Sequence, residues 1–159
     1  MKTSQIGIDL IKHFEGLHDG NLKEIGLQPK KDPIGIWTEG YGHAMVDSKG
    51  YFIKTKTAPK ATVSTIKQAE ELLKKDLVVY ELIIARKIKV PLKQQQFDAL
   101  ISHTYNTGGS NTLFELINNK ASDKDIKTWF ETKYIRANGV SLPGLLARRK
   151  AEAKLYFTE

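Results

Sequence analysis

The chain has 159 residues, 40% of them hydrophobic, and no cysteine, so it can bury a core of its own but cannot rely on disulfides or a thiolate metal cluster. Its formal charge of +7, from 25 Lys and Arg against 18 Asp and Glu, draws it toward polyanions. A long multi-domain assembly is excluded by length, and the opening MKTSQIGIDLIKHFEG, broken by Asp9, Lys12 and His13, is neither the apolar core of a signal peptide nor a membrane span.

Ile6, Leu10, Ile11 and Phe14 recur at near-helical spacing behind Ser4, a candidate N-cap, and predict an amphipathic first helix ending near Glu15 and Gly16. From Asp19 to Lys31 the chain is polar, with Gly20, Gly26 and Pro29, which predicts a long loop of the kind that often carries function. The stretch DPIGIWTEGYGHAMV, rich in glycine and aromatics, suits short twisted strands. Asp32, Pro33, Ile34 and Gly35 fit a type I turn, and Lys49 and Gly50 mark another.

Thr65 and Gln68 form a capping-box pair ahead of the longest helix, whose apolar face carries Ala69, Leu72, Leu73, Leu77, Ile83 and Ile84 as far as about Ile88. Pro91 is expected to start a helix through Phe97, Leu100 and Ile101 that breaks at Asn106, Gly108 and Gly109. Shorter helices follow through Leu113 and Ile117, after Ser122 through Trp129 and Phe130, and after Pro143 through Tyr156. The expected architecture is α+β, a single domain over 1–159. A small strand-containing lobe spans 16–60, a helical lobe spans 61–159 and takes in the first helix, and a cleft separates the two.

Glu15, at a helix end immediately before a glycine, can emerge at the lip of such a cleft. A carboxylic acid there, with a second carboxylate across the groove, is the equipment for breaking a glycosidic bond. Asp76 falls among Leu72, Leu73 and Leu77 on an apolar stripe, where a carboxylate is costly unless a cation answers it. His13, His18 and His103 form no metal-ligand spacing, so neither a metal nor another cofactor is expected. The chain shows no zinc-finger spacing, basic zipper or RNA-recognition motif, so nucleic acid is not the expected polyanion.

Four ordered blocks, FEGL, DPIGIWTEGYGHAM, QQQFDALISHTYNTGG and LPGLLARRKAEAKLY, span residues 14–156 and resemble the successive signatures of phage-type lysozymes, glycoside hydrolase family 24. That family's functional residues run Glu, Asp, Thr, the last two with five residues between them. Glu15, Asp32 and Thr38 match that order and spacing. The interval from Glu15 to Asp32 is longer than usual, expanded by DGNLKEIGLQPKK, so Asp19 and Glu24 stand as substitutes if Asp32 only closes its turn.

The resemblance implies a lysozyme-like fold and hydrolysis of the β-1,4 bond between N-acetylmuramic acid and N-acetylglucosamine in peptidoglycan. Glu15 would be the general acid, while Asp32 and the Thr38 hydroxyl hold the attacking water, giving inversion across carboxyls about 6.5 to 9.5 Å apart. It further implies a His43–Asp76 ion pair joining the lobes, an orienting Arg148 near Glu15 at the opening of the last helix, and Tyr105 and Asn106 as sugar contacts, with Trp37 and Tyr41 as lesser candidates. The partner is peptidoglycan, engaged by a monomer without stable membrane insertion. The protein would wait in the host cytoplasm until a holin-like pore former gives access to the wall. A lytic transglycosylase, in which the acid works alone, and a non-catalytic wall-binding module are the competing readings.

Overall fold

The computed structural model describes residues 1–158 and divides into two compact units, Glu15–Asp76 and Met1–Phe14 with Leu77 onward. The strand-bearing unit thus runs to Asp76, beyond the boundary expected at residue 60, because the first half of the long helix belongs to it.

In the first unit, three short strands, β1 (Lys30–Lys31), β2 (Trp37–Glu39) and β3 (His43–Ala44), form an antiparallel sheet in the order β1-β2-β3. Lys30 opposes Thr38 and Lys31 opposes Trp37, while Thr38 opposes Ala44 and Glu39 opposes His43. The β1–β2 connection is the turn expected at Asp32: the Gly35 amide donates to the Asp32 carbonyl at 3.0 Å. The Asp32 side chain reinforces it, Oδ1 accepting from the amides of Ile34 at 2.9 Å and Ile36 at 2.8 Å. Ile36, Tyr41, Met45, Val63, Ala69 and Leu73 are buried.

The loop over 19–31 closes on itself. The Gly20 amide donates to the Gln28 carbonyl at 3.0 Å, the Gln28 amide to Asp19 Oδ1 at 3.2 Å, and the Leu27 amide to the Ser64 carbonyl at 2.9 Å. Gly20 is obligatory at this pinch, since a Cβ there would land on the Pro29 carbonyl oxygen, which is backbone and cannot step aside. Gly20→Ala is therefore expected to open the loop and cost roughly 1–3 kcal/mol. Limited proteolysis checks this: cleavage between residues 19 and 31 should become faster than in the wild-type chain, and an unchanged digestion pattern with an unchanged Tm counts against the pinch.

The second unit is helical, with α1 (Gln5–Glu15, its last residue assigned to the first unit), the rest of α2 (Ile66–Lys87), α3 (Gln94–Thr107), α4 (Asn111–Asn118), α5 (Asp123–Thr132) and α6 (Pro143–Tyr156). Its hairpin, β4 (Arg136–Ala137) with β5 (Val140–Ser141), turns through Asn138 and Gly139, both at positive φ as a tight two-residue turn requires. Local chemistry sets most boundaries. Thr65 and Gln68 cap α2 reciprocally, the Gln68 amide donating to Thr65 Oγ1 at 3.1 Å and the Thr65 amide to Gln68 Oε1 at 3.2 Å. Ser110 and Ser122 cap α4 and α5 with their hydroxyls, and Gly108 ends α3 in the left-handed conformation.

Two expectations are corrected. The helix expected at Pro91 starts at Gln94, because Gln96 Oε1 accepts from the Lys93 amide at 2.9 Å and fixes the N-terminus there. On α1 the buried face is Gly7, Ile8 and Ile11, leaving Ile6 exposed. Gly7 sits where a Cβ would lie 2.9 Å from the Asp98 side chain, and that carboxylate accepts from the Ser4 amide at 2.9 Å at the N-terminus of α1. A partner from another helix thus selects the face.

α6 packs on α3 and α5. Leu100, Ile101, Leu113 and Phe130 are fully buried, each such side chain contributing roughly 1.5–3 kcal/mol. His103 lies among the rings of Trp129, Phe130 and Tyr134, with centroids 5.3 to 5.7 Å away. Burial, aided by the charges of Arg149 and Arg148, holds its pKa down to about 3, so it is neutral in ordinary buffers. Among the described residues no helix is long and apolar enough to cross a membrane.

Candidate active site

Glu15 ends α1, and Gly16 follows at φ 70, a left-handed turn that a side chain would strain. The chain then crosses to the sheet, where the His18 amide donates to the Gly40 carbonyl at 2.8 Å and its ring Nδ1 lies 3.2 Å from the same oxygen. This tether and the Asp32 turn bring Glu15 and Asp32 to one pocket of about 450 Å³, whose wall also includes His18, Lys30 and Lys31. Both carboxylate side chains are half-buried. Two lysines beside two carboxylates give the pocket a mixed charge.

Thr38 sits in β2 opposite Lys30, buried, its hydroxyl donating to the Ile36 carbonyl at 3.2 Å; it is not among the residues that wall the pocket. The substitutes Asp19 and Glu24 are engaged within the loop, Asp19 by the Gln28 amide and Glu24 by Asn21 Nδ2 at 2.9 Å. Neither lines the pocket that holds Glu15.

His43 and Asp76 are brought together, with His43 Nδ1 2.8 and 3.1 Å from the two carboxylate oxygens. Both belong to the unit Glu15–Asp76, so the pair ties β3 to α2 inside that unit instead of joining the two, as was expected. The side chains are 31% and 23% exposed, so the pair is half-buried. The hydrogen bond to Asp76 raises the His43 pKa above its ordinary 6.5, the charges of Asp76 and Glu39 adding to it and burial opposing it.

A histidine pKa raised by folding stabilises fully below its unfolded value, and that contribution fades as pH rises through the folded one. His103 has the opposite sign. With a folded pKa near 3 it withdraws stability as pH falls below about 6.5. Asp76→Asn is expected to cost about 1–2 kcal/mol at pH 6, between the values for exposed and buried charged pairs, and about 3–6 °C in Tm. The difference from wild type should shrink as pH rises above 7. Melting curves at pH 6 and pH 9 check it, and a gap that stays constant across that range removes the ion pair from the account.

In the helical unit, Arg148 and Arg149 stand in the second turn of α6, not at its opening, and both are buried. Arg148 donates to Glu152 Oε1 and the Ser102 carbonyl, each at 3.2 Å, and its guanidinium lies 5.7 Å from the centroid of Phe14. Arg149 donates to Glu152 Oε1 at 2.9 Å and to Asn106 Oδ1 at 3.0 Å, which fixes the amide of a predicted sugar contact. Tyr105 meets Tyr80 edge-on, centroids 5.2 Å apart. Trp37 Nε1 donates to the Thr55 carbonyl at 2.9 Å, and Tyr41 is buried.

Sequence reasoning missed four buried carboxylates, Glu39, Glu81, Asp98 and Glu152. Glu39, 2% exposed, accepts from the Thr62 amide at 2.8 Å and from the Thr62 hydroxyl, clamping the chain ahead of α2 to the sheet. Nothing local announces it. Glu152 does carry a signal, since Leu145, Arg149, Glu152 and Tyr156 recur at helical spacing and place two charges on the inward face of α6.

An α+β chain of this topology, with an acid at the end of its first helix lining one pocket with a carboxylate on a strand turn, has the fold of a lysozyme. The crystal structure of a phage P22 lysozyme mutant superposes with a TM-score of 0.75 at 26% identity over 99% of both chains, and the muramidase domain of SpmX from Asticaccaulis excentricus does so with 0.73, also at 26% over 99% of both. The endolysin of Acyrthosiphon pisum secondary endosymbiont phage 1 is 31% identical over 98% of each chain, whereas the chain spans 55% of the length of the two Bacillus phage endolysins it matches. The phage lysozyme family profile covers residues 12–152, and the chain belongs to that family.

Proposed function

We propose that this phage-type endolysin, a glycoside hydrolase of peptidoglycan, cuts the bond between N-acetylmuramic acid and N-acetylglucosamine with inversion, using Glu15 as general acid and Asp32 with Thr38 to hold the water. The observation that carries this reading is the shared pocket of Glu15 and Asp32. Glu15 gives its proton to the bridging oxygen as the bond to the anomeric carbon breaks. The water adds to that carbon from the opposite side and passes its proton to Asp32.

Both turn hydrogen bonds of Asp32 end on Oδ1, which supports a reading in which Oδ2 takes the water. The Thr38 hydroxyl gives its proton to the Ile36 carbonyl, and its oxygen keeps lone pairs to accept from the water. Tyr105 and Asn106 serve as sugar contacts and Arg148 as an orienting cation, while His43–Asp76 supports the sheet. The protein acts as a monomer, waits in the host cytoplasm and needs a holin-like pore former to meet its substrate.

Product analysis tests the chemistry. Digested peptidoglycan should carry reducing muramic acid ends whose first-formed anomer is opposite to that of the substrate. Anhydro ends would mean that the substrate's own hydroxyl replaces water, and a retained anomer would make Asp32 a nucleophile.

A further inference from the structure

We propose that the loop over 19–31 builds a second sugar subsite, which takes an N-acetylated hexosamine unit of the same glycan strand beyond the bond being cut and so favours long strands as substrates. This inference rests on the hydrolase reading above. A cavity of about 340 Å³ is walled by Asn21, Glu24 and Gln28 from the loop, by Lys30 and Lys31 of β1, and by Trp37 of β2. Lys30 and Lys31 also wall the pocket of Glu15 and Asp32, so a polymer lying in one runs over β1 into the other.

The wall chemistry fits a sugar. Two amides and a carboxylate can meet hydroxyl and N-acetyl groups, and an indole offers an apolar surface to the C–H face of the ring. Trp37 is held in place by its bond to the Thr55 carbonyl, while the Lys31 ammonium lies over the indole, 5.1 Å from its centroid. That cation contact is weak at an exposed site, and a sugar can displace it. Glu24 in the same wall offsets part of the charge of the two lysines and so weakens a preference for the carboxylates of a stem peptide.

The subsite is also preorganised. The closure of Gly20 on Gln28, the anchoring of Leu27 to Ser64 and the Asn21–Glu24 bond fix the loop before any ligand arrives, so binding has little left to order. Gln28 closes the loop through its backbone, which leaves its side chain as a clean probe.

The test uses Glu15→Gln, expected to bind without cutting, and an octasaccharide of the glycan strand freed of stem peptides. Adding Gln28→Ala or Trp37→Leu should weaken binding of the octasaccharide roughly tenfold by calorimetry, with the fold confirmed by circular dichroism. Unchanged affinity in the Gln28→Ala chain overturns the subsite, as does failure of the parent to bind the octasaccharide. A loss seen only when stem peptides are retained assigns the cavity to peptide and also overturns it. The hydrolase reading is judged separately, by whether a chain with native Glu15 lyses walls. Lysis with an octasaccharide affinity indifferent to Gln28 and Trp37 sinks the subsite alone.

Discussion

Glu15→Gln is expected to lower the rate of wall lysis by roughly 10² to 10⁴, the range that a positioned general acid contributes. The amide keeps the size of the side chain and its place at the end of α1 but has no proton to give to a departing sugar oxygen. Folding should be untouched, because Glu15 is half-buried at a helix end before a left-handed glycine and holds no core position. Asp32→Asn, measured alongside, separates two roles. If Asp32 only closes its turn, the amide oxygen still accepts from the Ile34 and Ile36 amides, and lysis stays within a few-fold of wild type. If it takes the proton of the water, the rate falls nearly as far as for Glu15→Gln. Full lysis by a folded Glu15→Gln chain would falsify the assignment of the acid.

The second large effect is on stability. Glu152→Gln is expected to cost about 3–5 kcal/mol, because it removes the buried carboxylate that answers the guanidinium groups of Arg148 and Arg149. Glu152 is fully buried, accepting from Ser102 Oγ at 2.8 Å, from both arginines at Oε1, and lying 2.8 Å from Arg149 Nε through Oε2. Burial pushes the carboxyl of Glu152 up and the guanidinium of Arg149 down, each opposed by the charge of the other. The cluster is therefore not a large net source of stability, yet removing one member exposes the full penalty of the rest. Because Arg149 also holds Asn106, the variant should lose lysis at temperatures where it remains folded. Urea unfolding and lysis assays at matched temperature check this, and a change below about 1 kcal/mol would mean that water reaches the cluster.

Much of the fold was legible before any coordinates. Ser122, the Thr65–Gln68 pair, Gly108 and Pro143 set helix ends because each acts on amides or carbonyls within one turn of itself. The Asp32 turn was legible for the same reason. The start of α3 was misplaced because a side chain three residues downstream outweighed a proline, and the face of α1 because Asp98, far along the chain, selected Gly7 over Ile6.

By itself the sequence determined the order of the helices, the strand-bearing stretch ahead of α2 and the family, and it proposed Glu15 as acid, since caps, periodicity and ordered motifs are written in neighbouring residues; the β4–β5 hairpin it did not foresee. Only the tertiary structure decided that Asp32 shares the pocket with Glu15, and that the His43–Asp76 pair lies within one unit. It likewise decided that two arginines and a glutamate are interior, and that the long loop closes on Gly20. Each of these depends on groups distant in sequence meeting at a few ångströms, a distance fixed by packing and absent from any local pattern.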